Sequence, residues 1–136
     1  MASYVKFQPF VENLAEKVHN LGSDQLKIAL TNTAPNATDA TLSQITEITY
    51  TNCSSRNVTT SASSQSSGTY KLVCDDLVLT ASGGTVGAFR YVVLYNDTSA
   101  SDSLIAYFDY GSSITLADGE TFTINFDGTG GVLTIA

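Results

Sequence analysis

Tryptophan is absent, and the 136 residues include one histidine, two cysteines and two prolines. Charge is also scarce: 14% of residues are charged, against roughly 25% in an average globular chain. The deficit is largest on the basic side, with six Lys and Arg against thirteen Asp and Glu and a net charge of -7. Six scattered basic residues cannot build a phosphate-neutralising stripe, so no nucleic-acid partner is expected. No apolar run approaches the roughly 18 residues of a membrane span, so no membrane partner is expected either. The opening MASYVKFQPF has one lysine and no long apolar stretch, which argues against a secretory signal peptide. Cys53 and Cys74 are too few for a disulfide scaffold, and thiols are the expectation over a bridge.

What replaces charge is hydroxyl. Sixteen serines and eighteen threonines make up a quarter of the chain, while 43% of residues are hydrophobic. That is enough apolar material for one real core in a chain of domain size.

Two periodicities divide the sequence. Phe10, Val11, Leu14, Ala15, Val18 and Leu21 follow helical spacing and predict an amphipathic helix over Pro9–Leu21. Pro9 suits its first position and Gly22 its close. From Gln25 the period becomes two. Leu26, Ile28 and Leu30 predict a half-buried strand, and Leu42, Ile45 and Ile48 a short helix or turn. Tyr50–Gly68 reads as a long polar loop or an edge strand around Val58. Strands are predicted at Tyr70–Cys74, Leu77–Thr80, Phe89–Tyr95 and Leu104–Tyr110. In Phe89–Tyr95, simple alternation places Phe89, Tyr91, Val93 and Tyr95 on one face. Gly111–Ser113 should turn the chain, Asp118–Gly119 should close a hairpin, and Phe122, Ile124 and Phe126 alternate as a further strand. The fold class is therefore mainly β: an antiparallel β-sandwich (jelly-roll-like) or barrel with one N-terminal amphipathic helix. Residues 1–24 read as an arm and helix, and residues 25–136 as the sandwich.

A search for chemistry finds no catalytic, cofactor or metal constellation, and a non-enzymatic protein is expected. His19 should be a solvated histidine of the last helical turn. Asp75–Asp76 fits a turn, and Asp97–Asp102 lacks the glycine and terminal glutamate of a calcium loop. Asp127–Gly131 has neither the lysine nor the following helix of a phosphate loop. Arg90, in the most apolar strand, needs a carboxylate or aromatic partner, within the fold or across a subunit contact. A carbohydrate- or receptor-binding module would draw on Tyr95, Tyr107 and Tyr110 with Asn96, Asp97 and Asp109.

The segments VHNLGSDQLKIALTNTAPN (Val18–Asn36), SSGTYKLVCDDLVLTASGGTVGAFRYVVLYNDT (Ser66–Thr98) and LIAYFDYGSSITLADGETFTINFDGTGGVLTIA (Leu104–Ala136) resemble small virion structural proteins of tailed phages. The resemblance is carried most by GAFRYVVLYND and YFDYGSS, and it brings no catalytic motif. It implies a capsid decoration (cement) protein at the virion surface, whose partners are the major capsid protein and itself, as a homotrimer. A tail, neck or fibre component is the alternative within the same particle. On this reading Lys6, Phe7 and Phe10 would grip the capsid, and Arg90, Tyr95, Tyr107 and Tyr110 would line a subunit interface.

Overall fold

Pro9 starts a helix, α1 (Pro9–Ala15), because its fixed backbone suits the first helical position and its missing N–H is not needed there. The helix closes after seven residues instead of reaching Leu21. Lys17 adopts a left-handed conformation (φ +69°), and the chain leaves the helix axis. Only Phe10 of the helix is buried, while Val11 and Val18 stay 52% and 38% exposed. The apolar stripe therefore divides: its first turn packs on the fold as helix, and its C-terminal part packs as irregular chain.

The computed structural model describes residues 3–136. It is mainly β, with 48% of residues in strands and antiparallel pairing throughout. The strands are β1 (Ser3–Lys6), β2 (Leu26–Thr31), β3 (Asn57–Val58), β4 (Thr60–Ser66), β5 (Thr69–Cys74), β6 (Leu77–Thr80), β7 (Val86–Asn96), β8 (Leu104–Leu116), β9 (Thr121–Ile124) and β10 (Leu133–Ile135). A 3-10 turn at Leu42–Gln44 realises the spacing of Leu42 and Ile45. The strands form ladders of five (β1-β8-β7-β2-β3), three (β10-β5-β4) and two (β6-β9). The polar stretch after Tyr50 thus holds a seven-residue edge strand, β4, paired along β5.

The five-stranded ladder is covered on both faces. Cross-strand neighbours share a face, so Leu30–Val92–Phe108 and Ile28–Leu94–Ala106 point into the main core with Leu72, Cys74, Leu79 and Ile124. Ala29–Val93–Tyr107 points the other way, into a second cluster of Phe7, Ala29, Ile45, Val93, Tyr95 and Leu104. This explains why β2 is buried along nearly its whole length rather than on alternate residues.

The β7–β8 register shifts at three places, and the one at Phe89/Tyr91 is the largest. Phe89 pairs with Ile114 and Tyr91 with Asp109, so a single β7 residue, Arg90, stands opposite Tyr110–Ser113 of β8. This bulge is what becomes of the turn expected at Gly111–Ser113, and Gly111 takes φ +97° within it. The extra residues reverse the facing: Phe89 joins Val92 and Leu94 in the main core, while Tyr91 faces with Val93 and Tyr95. Asp118–Gly119 does turn the chain. However, β9 pairs with β6 and not with β8, so the turn passes the chain between ladders.

From residue 3 onward the N-terminal segment is tied to the sheet. β1 pairs with β8, the Phe7 N–H donates to the Ile105 carbonyl at 3.1 Å, and that of Gln8 to the Ala37 carbonyl at 2.8 Å. The accessible surface, 6928 Å², matches the ~6,800 Å² of a compact chain of this mass.

Candidate functional site

Two concave regions carry most of the unusual chemistry, and the first is built around His19. This residue is 5% exposed, so it is neither solvated nor helical as expected. Its ring packs at a tilt against Phe10, centroids 5.1 Å apart, and its Nδ1 lies 3.0 Å from Asn96 Nδ2. The Asn96 amide is oriented by its oxygen, which accepts from the N–H groups of Thr98 and Ser99 at 3.0 and 3.1 Å. Asn96 Nδ2 therefore donates twice, to His19 Nδ1 and, at 2.7 Å, to Asp24 Oδ2. Accepting at Nδ1 puts the imidazole proton on Nε2, which is buried and has no hydrogen-bond partner among the described residues. Burial lowers the His19 pKa, opposed by the nearby Asp24 charge. The cluster stands beside a depression lined by Leu14, Lys17, Ser63, Tyr70 and Ile135, and ties the segment after α1 to the end of β7.

The second region lies where β8 and β9 face each other. A groove of about 800 Å³ is lined by Val92, Phe108, Tyr110, Phe122, Thr123, Ile124, Asn125, Asp127 and Gly128. Its rings are braced edge to face. Tyr110 meets Phe122 at 5.4 Å, Phe122 meets Phe89 at 5.3 Å, and Phe108 meets Tyr4 at 5.3 Å. Asp127 Oδ1 accepts from the N–H groups of Thr129 and Gly130 at 2.8 and 2.9 Å, and these bonds hold its carboxyl below the usual carboxylate range. Phe122 was legible as a strand residue, while Phe126 falls beyond the end of β9 at Ile124; nothing local in the sequence joins Phe122 to Tyr110.

The residues singled out from the sequence are spread over different surroundings. Phe7 and Phe10 are 0% and 3% exposed and belong to this chain's own core, which removes them as capsid grips in this fold. Lys6 alone of the three is exposed. Tyr95 and Asn96 are buried, and Tyr107 packs between Phe7 and Tyr91 at 5.2 and 6.2 Å. Tyr107 and Tyr110 face opposite sides of β8, since Tyr107 pairs across the second cluster and Tyr110 packs on Phe122. The set Tyr95, Tyr107, Tyr110, Asn96, Asp97 and Asp109 is therefore not one site.

Arg90 finds its carboxylate within the chain. Its Nε and one terminal nitrogen donate to the two oxygens of Asp109 at 2.8 and 3.1 Å, a bidentate pair that holds the Asp109 carboxyl below its ordinary value, assisted by the Gly111 N–H. Arg56, which sequence reasoning passed over, is the more enclosed cation. It stacks on Tyr50 at 3.6 Å, donates to the Ile28 carbonyl at 2.8 Å and faces Glu47 at 3.9 Å. Burial and the Glu47 contact push the Tyr50 hydroxyl pKa up. Cys53 and Cys74 are both free. Asp75–Asp76 links β5 to β6, and Asp76 accepts from the Phe126 N–H at 2.9 Å. Among the described residues no three His, Cys, Asp or Glu side chains converge as a metal site. No family model, curated protein or solved structure matches the chain.

Proposed function

We propose that this chain is a non-enzymatic virion structural protein of a tailed phage, a capsid decoration protein that binds the outer lattice as a homotrimer. The sequence resemblance supplies the class of particle. The observation that supports a contact role is the outer edge of β4. This is the longest strand ending any of the ladders, and its sequence, TSASSQS, has no charge and no proline. Proteins that remain single guard such edges with lysine, proline or short strands. Here the guard is reduced to one irregularity between Thr60 and Ala62. An unpaired row of backbone groups flanked by small hydroxyl side chains suits strand addition or close packing against a neighbour. The exposed faces of Tyr4 and Lys6 in β1 offer a second contact, in place of the buried Phe7 and Phe10. A protein that binds only the expanded lattice stabilises that lattice by mass action.

Sedimentation and binding to expanded capsids lacking the protein test this reading. A trimer that saturates such capsids is expected, and the Ala62→Lys, Ser64→Lys double variant should stay folded but lose occupancy. A hexamer or dodecamer that ignores capsids would move the protein to a tail or neck ring. A monomer without capsid binding would overturn the proposal.

A further inference from the structure

The groove between β8 and β9 has a composition that a purely structural wall does not need. Its floor is apolar, from Val92 and Ile124, and its sides are the rings of Phe108, Tyr110 and Phe122. Tyr110 is 49% exposed, yet its ring is fixed against Phe122, so it presents a rigid apolar face to solvent. Along the rim stand Thr123, Asn125 and Asp127, all exposed. Asp127 spends Oδ1 on two backbone N–H groups, which orients the carboxylate and leaves Oδ2 to accept from outside. The side chains of Thr123 and Asn125 make no hydrogen bond among the described residues.

Charge narrows the choice of occupant. The lining has one carboxylate and no basic side chain. Arg90 is held by Asp109, and Lys71 donates to the Thr129 carbonyl at 2.8 Å. An anion would meet the Asp127 carboxylate in the lining itself, with Lys71, outside the lining and tied to the Thr129 carbonyl, as the nearby cation. A purely apolar occupant would bury the Asp127 oxygen and the Asn125 amide unpaired, which costs free energy for each group. The fitting ligand has an apolar face to lie on an aromatic ring and hydroxyl donors around its edge. A neutral pyranose has both, and a volume of about 800 Å³ falls within the usual range for small-ligand sites.

We infer that this groove binds neutral saccharides, with the exposed Tyr110 ring, braced edge-on by Phe122, as the stacking face and Asp127 and Asn125 as hydroxyl partners. The site does not involve the β4 edge, so it stands or falls separately from the capsid role.

Saturation-transfer NMR on the isolated full-length protein provides the test, with the neutral trisaccharides of glucose, mannose, galactose and N-acetylglucosamine as probes and sialyllactose as the anionic control. At least one neutral probe should bind more tightly than about 10 mM, with transfer from the Tyr110 and Phe122 rings and none to sialyllactose. Tyr110→Ala and Asp127→Asn should each weaken binding about tenfold, the scale of one lost contact. Tyr110→Phe should keep most of the affinity. Tyr110 is half exposed and Asp127 exposed, and an unchanged circular dichroism spectrum would establish that each variant is folded. No response to any of the four neutral probes would overturn the inference. So would equal binding of sialyllactose, or affinity indifferent to both Tyr110→Ala and Asp127→Asn.

Discussion

Phe7 distinguishes a gripping arm from an integral sheet edge. In Phe7→Ala the ring leaves a site that is 0% exposed, walled by Ala29, Ile45, Val93, Tyr95 and Leu104 and by the Tyr107 ring at 5.2 Å. Returning a buried Phe side chain to water costs about 1.5–3 kcal/mol. The walls are poorly placed to collapse into the gap, because backbone bonds on either side of Phe7, to Ile105 and Ala37, hold the segment in place. The cavity term should then bring the total to about 3–5 kcal/mol, a large share of the ~5–15 kcal/mol stability of a typical domain. With a urea m-value of about 2 kcal/mol/M, the midpoint should fall by roughly 1.5–2.5 M. Val11→Ala, on the exposed face of α1, is the control and should stay within about 0.5 kcal/mol. If Phe7 projected from the free protein to grip a partner, Phe7→Ala would leave the isolated protein as stable as Val11→Ala does and would reduce only capsid occupancy. That result would refute the packing argument.

His19 predicts a pH dependence with a definite sign. Its native pKa is lowered by burial, so the unfolded chain takes up a proton that the native ring refuses. Stability should be complete above the unfolded value of about 6.5, decline as the pH falls below it, and level off below the native pKa. Urea midpoints between pH 7.5 and pH 5 should show the decline in the wild type and a flatter profile in His19→Phe. Arg90→Met removes a bidentate pair whose side chains are 40% and 25% exposed. The urea midpoint should shift only slightly, and the wild-type advantage should shrink in high salt. Gly131→Ala places a Cβ 2.7 Å from the Leu72 carbonyl oxygen at φ +83°. Calorimetry should show a loss of about 1–3 kcal/mol from strain alone, with more from the clash.

The proposed capsid contact and the proposed saccharide site draw on different parts of the molecule. The first rests on the outer edge of β4, and the second on the Tyr110 ring within the β7–β8 bulge. The same bulge serves two purposes. It releases Tyr110 toward β9, and it leaves Arg90 opposite the excursion, where Asp109 can clasp it from the adjoining pair.

Patterns carried within a few residues were legible without the structure. The strand from Leu26, the start of α1 at Pro9 and the turn at Asp118–Gly119 all follow from local conformational preference, whereas the Arg90 pair with Asp109 forms on an exposed face rather than in an apolar interior. Pairing across long separations was not legible. His19 is buried because Asn96, 77 residues away, supplies its hydrogen bond, and no helical spacing encodes that partner. Phe7 and Phe10 are core residues because β1 finds the edge of β8, about a hundred positions later. Phe89 faces the main core because β8 contributes four residues where β7 contributes one, and strand facing propagates only as far as the register does. The scarcity of cysteine and basic residues set expectations against a disulfide scaffold and a nucleic-acid partner from composition alone. Bringing Tyr110, Phe122, Asn125 and Asp127 to one groove was left to the tertiary structure, because a site assembled from separate strands exists only once those strands have packed.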